Sequence, residues 1–399
     1  MTSSTPWQRT ARGAGLLDAT GHLRSTVFAE MSALATATGA VNLGQGFPDE
    51  DPPEAVLEAA RDALFGGSNQ YPPGRGVPTL LEAVSEHQQR FYGIDVDPGR
   101  EVLVTAGATE AIAATVLAFV DQGDEVITFE PFYDAYGAVI GLAGGRHRTV
   151  PLRGPDFRVD ADELRAAFSS RTRLVIVNDP HNPTGTLLDD ATRSSLVALA
   201  HEFDALLVTD EVYEHVVFDG VPHVPLSTLP GASERTITVS SGGKTFNATG
   251  WKIGWLSGPA SLVSQIMSVK QYLTFVNGSV FQPAIAVGLR LPREHFDDFT
   301  ADLQSKRDLL SAGLLSAGFD VSPARGSYFV VADAAPLGYD DAAEFCRALP
   351  QLAGVVGVPV SAFCGPTLAA EHSSLVRFAF CKRAEVIDEA GRRLAALRA

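Results

Sequence analysis

Five short apolar runs, each closed by a cluster of polar residues, set the pattern of the middle of this chain. Residues 102–105, 126–129, 174–177, 206–209 and 236–239 are continuous stretches rich in Val, Ile, Leu and Thr. An unbroken apolar run, rather than an alternating one, predicts a strand buried on both faces. Loops and helical stretches separate the runs, the first opening at Gly107 into an alanine-rich segment. Strand–loop–helix alternation predicts a mostly parallel sheet covered by helices on both sides. The polar clusters are Gly107, Ala108 and Thr109; Tyr133; Asn182; Asp210 with Tyr213; and Ser241 with Lys244. In open α/β sheets ligands bind outside the carboxyl ends of the strands. Five such clusters on consecutive strands therefore predict one site.

The flanks read differently. Residues 1–20 are polar and rich in Gly and Ala, a loose arm. Val27, Met31 and Leu34 mark a helix, and residues 41–48 a short strand with a glycine turn. Val56, Leu57, Ala60 and Leu64 mark a helix stopped by Gly66 and Gly67. Tyr71 opens a rigid, exposed loop of two prolines and two glycines. Beyond Leu291 come an amphipathic helix (296–315), strands near 328–331 and 375–380, and a closing helix from Glu385. At 399 residues the chain is long enough for two domains. The expected division is 1–45, an N-terminal arm with part of a small domain; 46–290, a large domain; and 291–399, a smaller α+β domain.

Composition narrows the function classes. A formal charge of −16 argues against nucleic acid and anionic membrane surfaces. The longest strongly apolar run, 111–120, is too short to cross a bilayer, and the N-terminal residues lack the apolar core of a signal peptide. Cys346, Cys364 and Cys381 have no metal-ligand spacing. No metal is expected, and the sparse, odd count fits a reducing cytoplasm.

Lys244 follows Gly242 and Gly243 at a strand end, which sets an amine at the mouth of a pocket. Three readings compete for it. It is a solvated turn lysine; or the lysine of a Ser-x-x-Lys acylase, whose companion tripeptides Ser-Asp-Asn and Lys-Thr-Gly are missing here; or the lysine that binds the aldehyde of pyridoxal 5'-phosphate. The last makes demands the chain can meet. A phosphate needs backbone N–H groups at a helix start, hydroxyls and a cation, available from Gly107, Ala108, Thr109, Ser241 and Lys252. The pyridine nitrogen needs a carboxylate, Asp210; the ring hydroxyl a donor, Tyr213 or Asn182; the ring face a stacking partner, Tyr133. Lys244 would then hold the cofactor and shuttle the substrate's α-proton. Arg377, a lone cation in the apolar run 375–380, would clamp an α-carboxylate or form an internal salt bridge.

The motifs Asn182-Pro-Thr-Gly, Asp210-Glu-Val-Tyr213, Ser241-Gly-Gly-Lys244, Thr249-Gly-Trp-Lys252 and Arg377-Phe, in this order and spacing, resemble the class I/II aminotransferases of pyridoxal phosphate fold type I. The resemblance spans nearly everything from Phe28 onward. It implies a large domain with a mostly parallel, seven-stranded-type sheet flanked by helices, a smaller α+β domain, and ping-pong transfer between an amino acid and 2-oxoglutarate. It further implies that Tyr71 reaches the phosphate of a neighbouring subunit in a homodimer with shared sites, and that Gly46 binds the α-carboxylate beside Asn182 and Arg377. Residues 41–49 and 130–134 resemble the kynurenine/glutamine/methionine aminotransferase branch. Residues 69–74, 281–283, 337–340 and 378–382 look closest to actinobacterial N-succinyldiaminopimelate aminotransferases of lysine biosynthesis. Val276 stands where kynurenine enzymes carry a histidine after Phe275. Arg75 is the one candidate for a distal succinyl carboxylate. A cysteine-conjugate β-lyase would use the same residues. A ligand-sensing regulator of this fold would need a DNA-binding module, for which residues 1–25 are too short.

Overall fold

The computed structural model describes residues 5–18 and 20–398. Seven strands form the main sheet: β1 (Val102–Ala106), β2 (Glu125–Glu130), β3 (Arg146–Arg153), β4 (Thr172–Asn178), β5 (Leu206–Asp210), β6 (Thr236–Ser241) and β7 (Ile253–Ser257). Their order in space is β1-β7-β6-β5-β4-β2-β3, with the two-residue strand Arg158–Val159 added at the β3 edge. Adjacent residues on one strand serve opposite faces. Val126, Leu174, Val208 and Ile237 enter one core, while Ile127, Val175 and Leu207 enter the other. Burial on both sides is why the runs are continuously apolar.

The pairs β2–β3, β2–β4, β4–β5 and β5–β6 are parallel. The exception among the seven is β7, antiparallel to both β1 and β6. Ile253 pairs with Ala106, and Gly254 with Ser241. The start of β7 therefore abuts the carboxyl ends of its neighbours, which brings Lys252 to the edge where the other polar clusters emerge.

The helices of the first part of the chain are α1 (Pro6–Gly13), α2 (Val27–Thr38), α3 (Glu54–Phe65), α4 (Pro78–Tyr92), α5 (Gly107–Phe119) and α6 (Asp134–Ala143). The arm expected to be loose is in part a docked helix, residues 1–4 and 19 lying outside the described region. A Cβ on Gly13 would sit 2.0 Å from the Gly137 carbonyl oxygen, and one on Gly141 2.4 Å from the Arg9 carbonyl oxygen. Paired glycines thus let α1 lie directly on α6, backbone against backbone.

A second sheet is built on β8 (Phe329–Asp333) and β9 (Leu375–Ala379), antiparallel to each other, with Asp320–Val321 and Val358–Pro359 at its edges. Its core includes Val330, Phe378 and Phe380, the helices Arg293–Ala317 and Ala384–Leu394 through Leu310 and Ile387, and Met31 and Ala35 from α2. Val41–Asn42 pairs in parallel with Val355–Val356. No helix among the described residues is long and apolar enough to cross a membrane.

Candidate active site

The carboxyl edge of the main sheet opens on a cavity of about 380 Å³, closed on its far side by Phe28, Gln45, Gly46, Phe329 and Arg377. Twelve of the thirteen nominated residues line it: Gly46, Gly107, Ala108, Thr109, Tyr133, Asn182, Asp210, Tyr213, Ser241, Lys244, Lys252 and Arg377. Tyr71 does not. It is 81 % exposed, its ring edge-on to Phe275 at 5.4 Å. Arg75 is also elsewhere, its Nη1 donating to the carbonyls of Arg100 and Val102 at 3.1 Å each.

Lys244 lies on a single helical turn, α7 (Gly242–Thr245), rather than on a glycine-loosened one. The glycines serve close packing: a Cβ on Gly242 would meet the Ile285 side chain at 2.6 Å. Burial lowers the Lys244 amine from its ordinary 10.5 to about 8, since desolvation penalises the cation. Nζ donates to the Gly46 carbonyl at 3.1 Å and lies 5.3 Å from the Tyr328 ring centre. Gly46 must be glycine, because a Cβ there would meet the Phe329 ring at 2.4 Å.

The N-terminus of α5 is equally constrained. Gly107 has φ +73°, and a Cβ on it would lie 3.2 Å from Lys252 Nζ. Lys252 itself adopts φ +54°, a left-handed conformation rare outside glycine, and its carbonyl accepts from Asn277 Nδ2 at 3.0 Å. A Cβ on Gly254 would meet the Gly107 backbone at 2.5 Å. The free N–H groups of α5, the Thr109 and Ser241 hydroxyls and the Lys252 amine thereby share one end of the cavity, which suits a dianion.

Asp210 is fully buried, and desolvation raises its carboxyl from 3.8 to about 6. Oδ2 accepts from the Tyr136 hydroxyl at 2.7 Å, whereas Oδ1 is buried without a partner. A buried acceptor left open calls for a donor from a bound group, such as the N–H of a protonated ring. Asn182 is set by Asn178: the Asn182 N–H donates to Asn178 Oδ1 at 2.7 Å, and Asn178 Nδ2 donates to the Asp210 carbonyl at 2.8 Å.

Arg377 is 1 % exposed. Its Nη1 donates to Asn182 Oδ1 at 3.0 Å and Nη2 to the Gly44 carbonyl at 2.7 Å, and the Phe329, Phe363 and Phe28 rings surround it at 4.1, 4.8 and 5.4 Å. Among the described residues no carboxylate forms an ion pair with it, so the internal salt bridge is not made. Burial draws its guanidinium down to about 10, still cationic at neutral pH.

Residues overlooked in the motifs include Tyr136, Asn178, Tyr328, Phe329, Gln45 and Phe28. Tyr136 carried a signal, one helical step from Tyr133, and so did Asn178, the last residue of β4; the others are brought in by tertiary packing. Outside the cavity, His87, Glu214 and His215 have side-chain donor atoms within 4.8 Å of one another. His87 Nε2 and His215 Nε2 are 2.7 Å apart, closer than the roughly 3.3 Å separating ligands of a tetrahedral zinc ion, so they form a hydrogen-bonded pair.

The profile of the family described as aminotransferase class I and II matches residues 38–394. Over 381 residues the chain is 52 % identical to a probable N-succinyldiaminopimelate aminotransferase, DapC, of Mycobacterium tuberculosis, covering 94 % of this chain and 96 % of that one. It is 40 % identical to the methionine aminotransferase of Escherichia coli, covering 93 % and 96 %. The solved structure of N-succinyldiaminopimelate aminotransferase from M. tuberculosis superimposes with a TM-score of 0.92 at 50 % identity, covering all of both chains.

Proposed function

The chain belongs to the class I and II aminotransferases, and from that premise we propose that its cavity binds pyridoxal 5'-phosphate and transfers an amino group between N-succinyl-LL-diaminopimelate and 2-oxoglutarate. The observation that carries the cofactor is the unpartnered Asp210 Oδ1, buried in the wall of a cavity whose other end gathers the start of α5 and Lys252. When bound, the cofactor supplies an electron sink for the substrate's α-carbon.

The residues divide the remaining work. Gly107, Ala108, Thr109, Ser241 and Lys252 would hold the phosphate, and Asp210 would keep the ring nitrogen protonated. Tyr133 would stack on the ring, and Asn182 and Tyr213 would hydrogen-bond its hydroxyl. Lys244, its amine made nucleophilic by burial, would hold the aldehyde and, as a free amine, would carry the substrate's α-proton. Its hydrogen bond to the Gly46 carbonyl gives the free amine a resting place. Arg377, with Asn182 and Gly46, receives the α-carboxylate.

The assembly belongs to the same reading. Tyr71 lies outside the cavity of its own chain, and Tyr71, Tyr272 and Phe275 are exposed rings, an unusual investment for a free surface. A second copy covering them would bring Tyr71 to the partner's phosphate in a homodimer. Residues 46–290 act as the cofactor-binding domain, and 291–399 with part of 1–45 as the smaller one. Three free thiols, Cys346 and Cys381 among them buried, suit the cytoplasm.

The substrate assignment rests on the likeness to DapC and is tested by an amino-donor panel against 2-oxoglutarate. N-succinyl-LL-diaminopimelate should give the highest kcat/KM; methionine, glutamine or kynurenine exceeding it would overturn the assignment while leaving the transaminase intact.

A further inference from the structure

Asp210 has two oxygens with opposite circumstances, and one side chain creates the difference. The Tyr136 hydroxyl donates to Oδ2 at 2.7 Å, while Oδ1 has no partner. The terminal torsion of an aspartate is broad, and of the hydrogen bonds acting on this carboxyl the phenol's outweighs that of the Val212 backbone N–H, so the phenol is its main anchor. Resting on the proposed cofactor, we infer that Tyr136 is a positioning residue, whose phenol grips Oδ2 and thereby presents Oδ1 to the ring nitrogen.

Its placement is rigid. Tyr136 is in the first turn of α6, 3 % exposed, its ring edge-on to Tyr133 at 5.7 Å. The helix beneath it is fixed by the glycine contacts with α1. Tyr136 is also a dependable donor: burial and the neighbouring Asp210 hold its hydroxyl well above the ordinary phenol range, so it stays protonated at working pH.

The groups facing Asp210 are Tyr133 and Tyr136, Glu211 and Tyr213 on its own loop, and Lys244. Desolvation raises the Asp210 carboxyl to about 6, and the Tyr136 hydrogen bond is the largest influence in the opposite direction. A hydrogen bond to a charged group corresponds to about one to two pK units. Without it the carboxyl would titrate near or above neutrality, and the charged fraction at pH 7 would fall from about nine-tenths to half or less.

The test uses Tyr136→Phe, Asp210→Asn and the double variant. It reads apoprotein melting, pyridoxal phosphate affinity from pH 5.5 to 8.5, and kcat and KM of the loaded enzyme. Tyr136→Phe should melt like the wild type and bind cofactor about two- to tenfold more weakly at pH 7, with the acidic fall in affinity displaced upward by one to two pH units. Its kcat should fall while the amino-donor KM stays constant. In the Asp210→Asn background the Phe substitution should add nothing, because the phenol then has no carboxylate to aim. A wild-type affinity profile in Tyr136→Phe beside a crippled Asp210→Asn would overturn this inference alone. An undiminished cost in the double variant would also overturn it, as a packing role. A near-normal Asp210→Asn would remove the reading of Asp210, and this inference with it.

Discussion

Replacing Arg377 by methionine separates a ligand-binding cation from a structural one. The guanidinium is fully buried, and desolvation, only partly offset by neighbouring groups such as Tyr213 and Asp134, draws it from 12.5 to about 10. At 1.36 kcal/mol per unit this corresponds to roughly 3 kcal/mol of destabilisation. The sign follows from linkage: a cation disfavoured in the fold weakens it at every pH below about 10, and the effect fades as pH rises to 12.5. Methionine removes that cost but strands the Gly44 carbonyl and Asn182 Oδ1, each at about 1–3 kcal/mol. The two effects nearly cancel, so the urea midpoint of the apoprotein should change little. Catalysis has no such compensation. A carboxylate held by two charge-assisted hydrogen bonds loses about 1.5–3 kcal/mol for each, and kcat/KM for the amino donor should fall roughly 10²- to 10⁴-fold, mostly in KM. Steady-state kinetics on the loaded enzyme, beside urea unfolding of the apoprotein, measures both. An unchanged KM with a collapsed midpoint would refute the assignment and make Arg377 a structural residue.

Three further outcomes follow from the same geometry. The neutral fraction of Lys244, with its pKa about 8, rises from about a tenth at pH 7 to nine-tenths at pH 9, so stopped-flow capture of pyridoxal phosphate by apoprotein should accelerate about tenfold and level off; a flat profile would mean the amine is not the limiting nucleophile. Gly254→Ala, whose Cβ would collide with the Gly107 backbone at 2.5 Å, should displace the start of α5 and weaken cofactor binding on the order of tenfold without unfolding the sheet; unaltered affinity would detach α5 from phosphate binding. Mixed from unfolded chains, the inactive variants Tyr71→Ala and Lys244→Ala should regain about a quarter of wild-type activity, since half the dimers are hybrids with one intact site; no recovery would place Tyr71 in its own chain's site or in none.

What the linear sequence revealed follows from the range of the forces involved. The five apolar runs became strands because continuous burial on two faces is written in the residues themselves. Helix α4 went unread, although Leu80, Leu81, Val84, His87 and Gln88 are buried at helical spacing, because no motif drew attention to it. The direction of β7 was not legible. An apolar run has no polarity, and only pairing with β1 and β6 decides that its first residue, not its last, faces the cavity; Lys252 reaches the α5 terminus for that reason. The docking of α1 was hidden differently, since small residues in a polar arm read as flexibility until the glycines of α6 lie opposite them.

The candidate site divides along the same line. Lys244, Asp210 and Asn182 stand at strand ends, where chain direction alone sends them to one edge, and all three line the cavity. Tyr328 and Phe329 come from the second sheet, and Phe28 and Gln45 from the N-terminal segment, so their arrival depends on how distant parts of the chain pack. Arg377 shows both kinds at once. Its isolation in an apolar strand announced a buried cation, yet whether it met a carboxylate of its own chain was a tertiary question. The three rings and two neutral acceptors around it answer that question: a guanidinium held in place but not neutralised retains its charge for a substrate that brings the missing carboxylate.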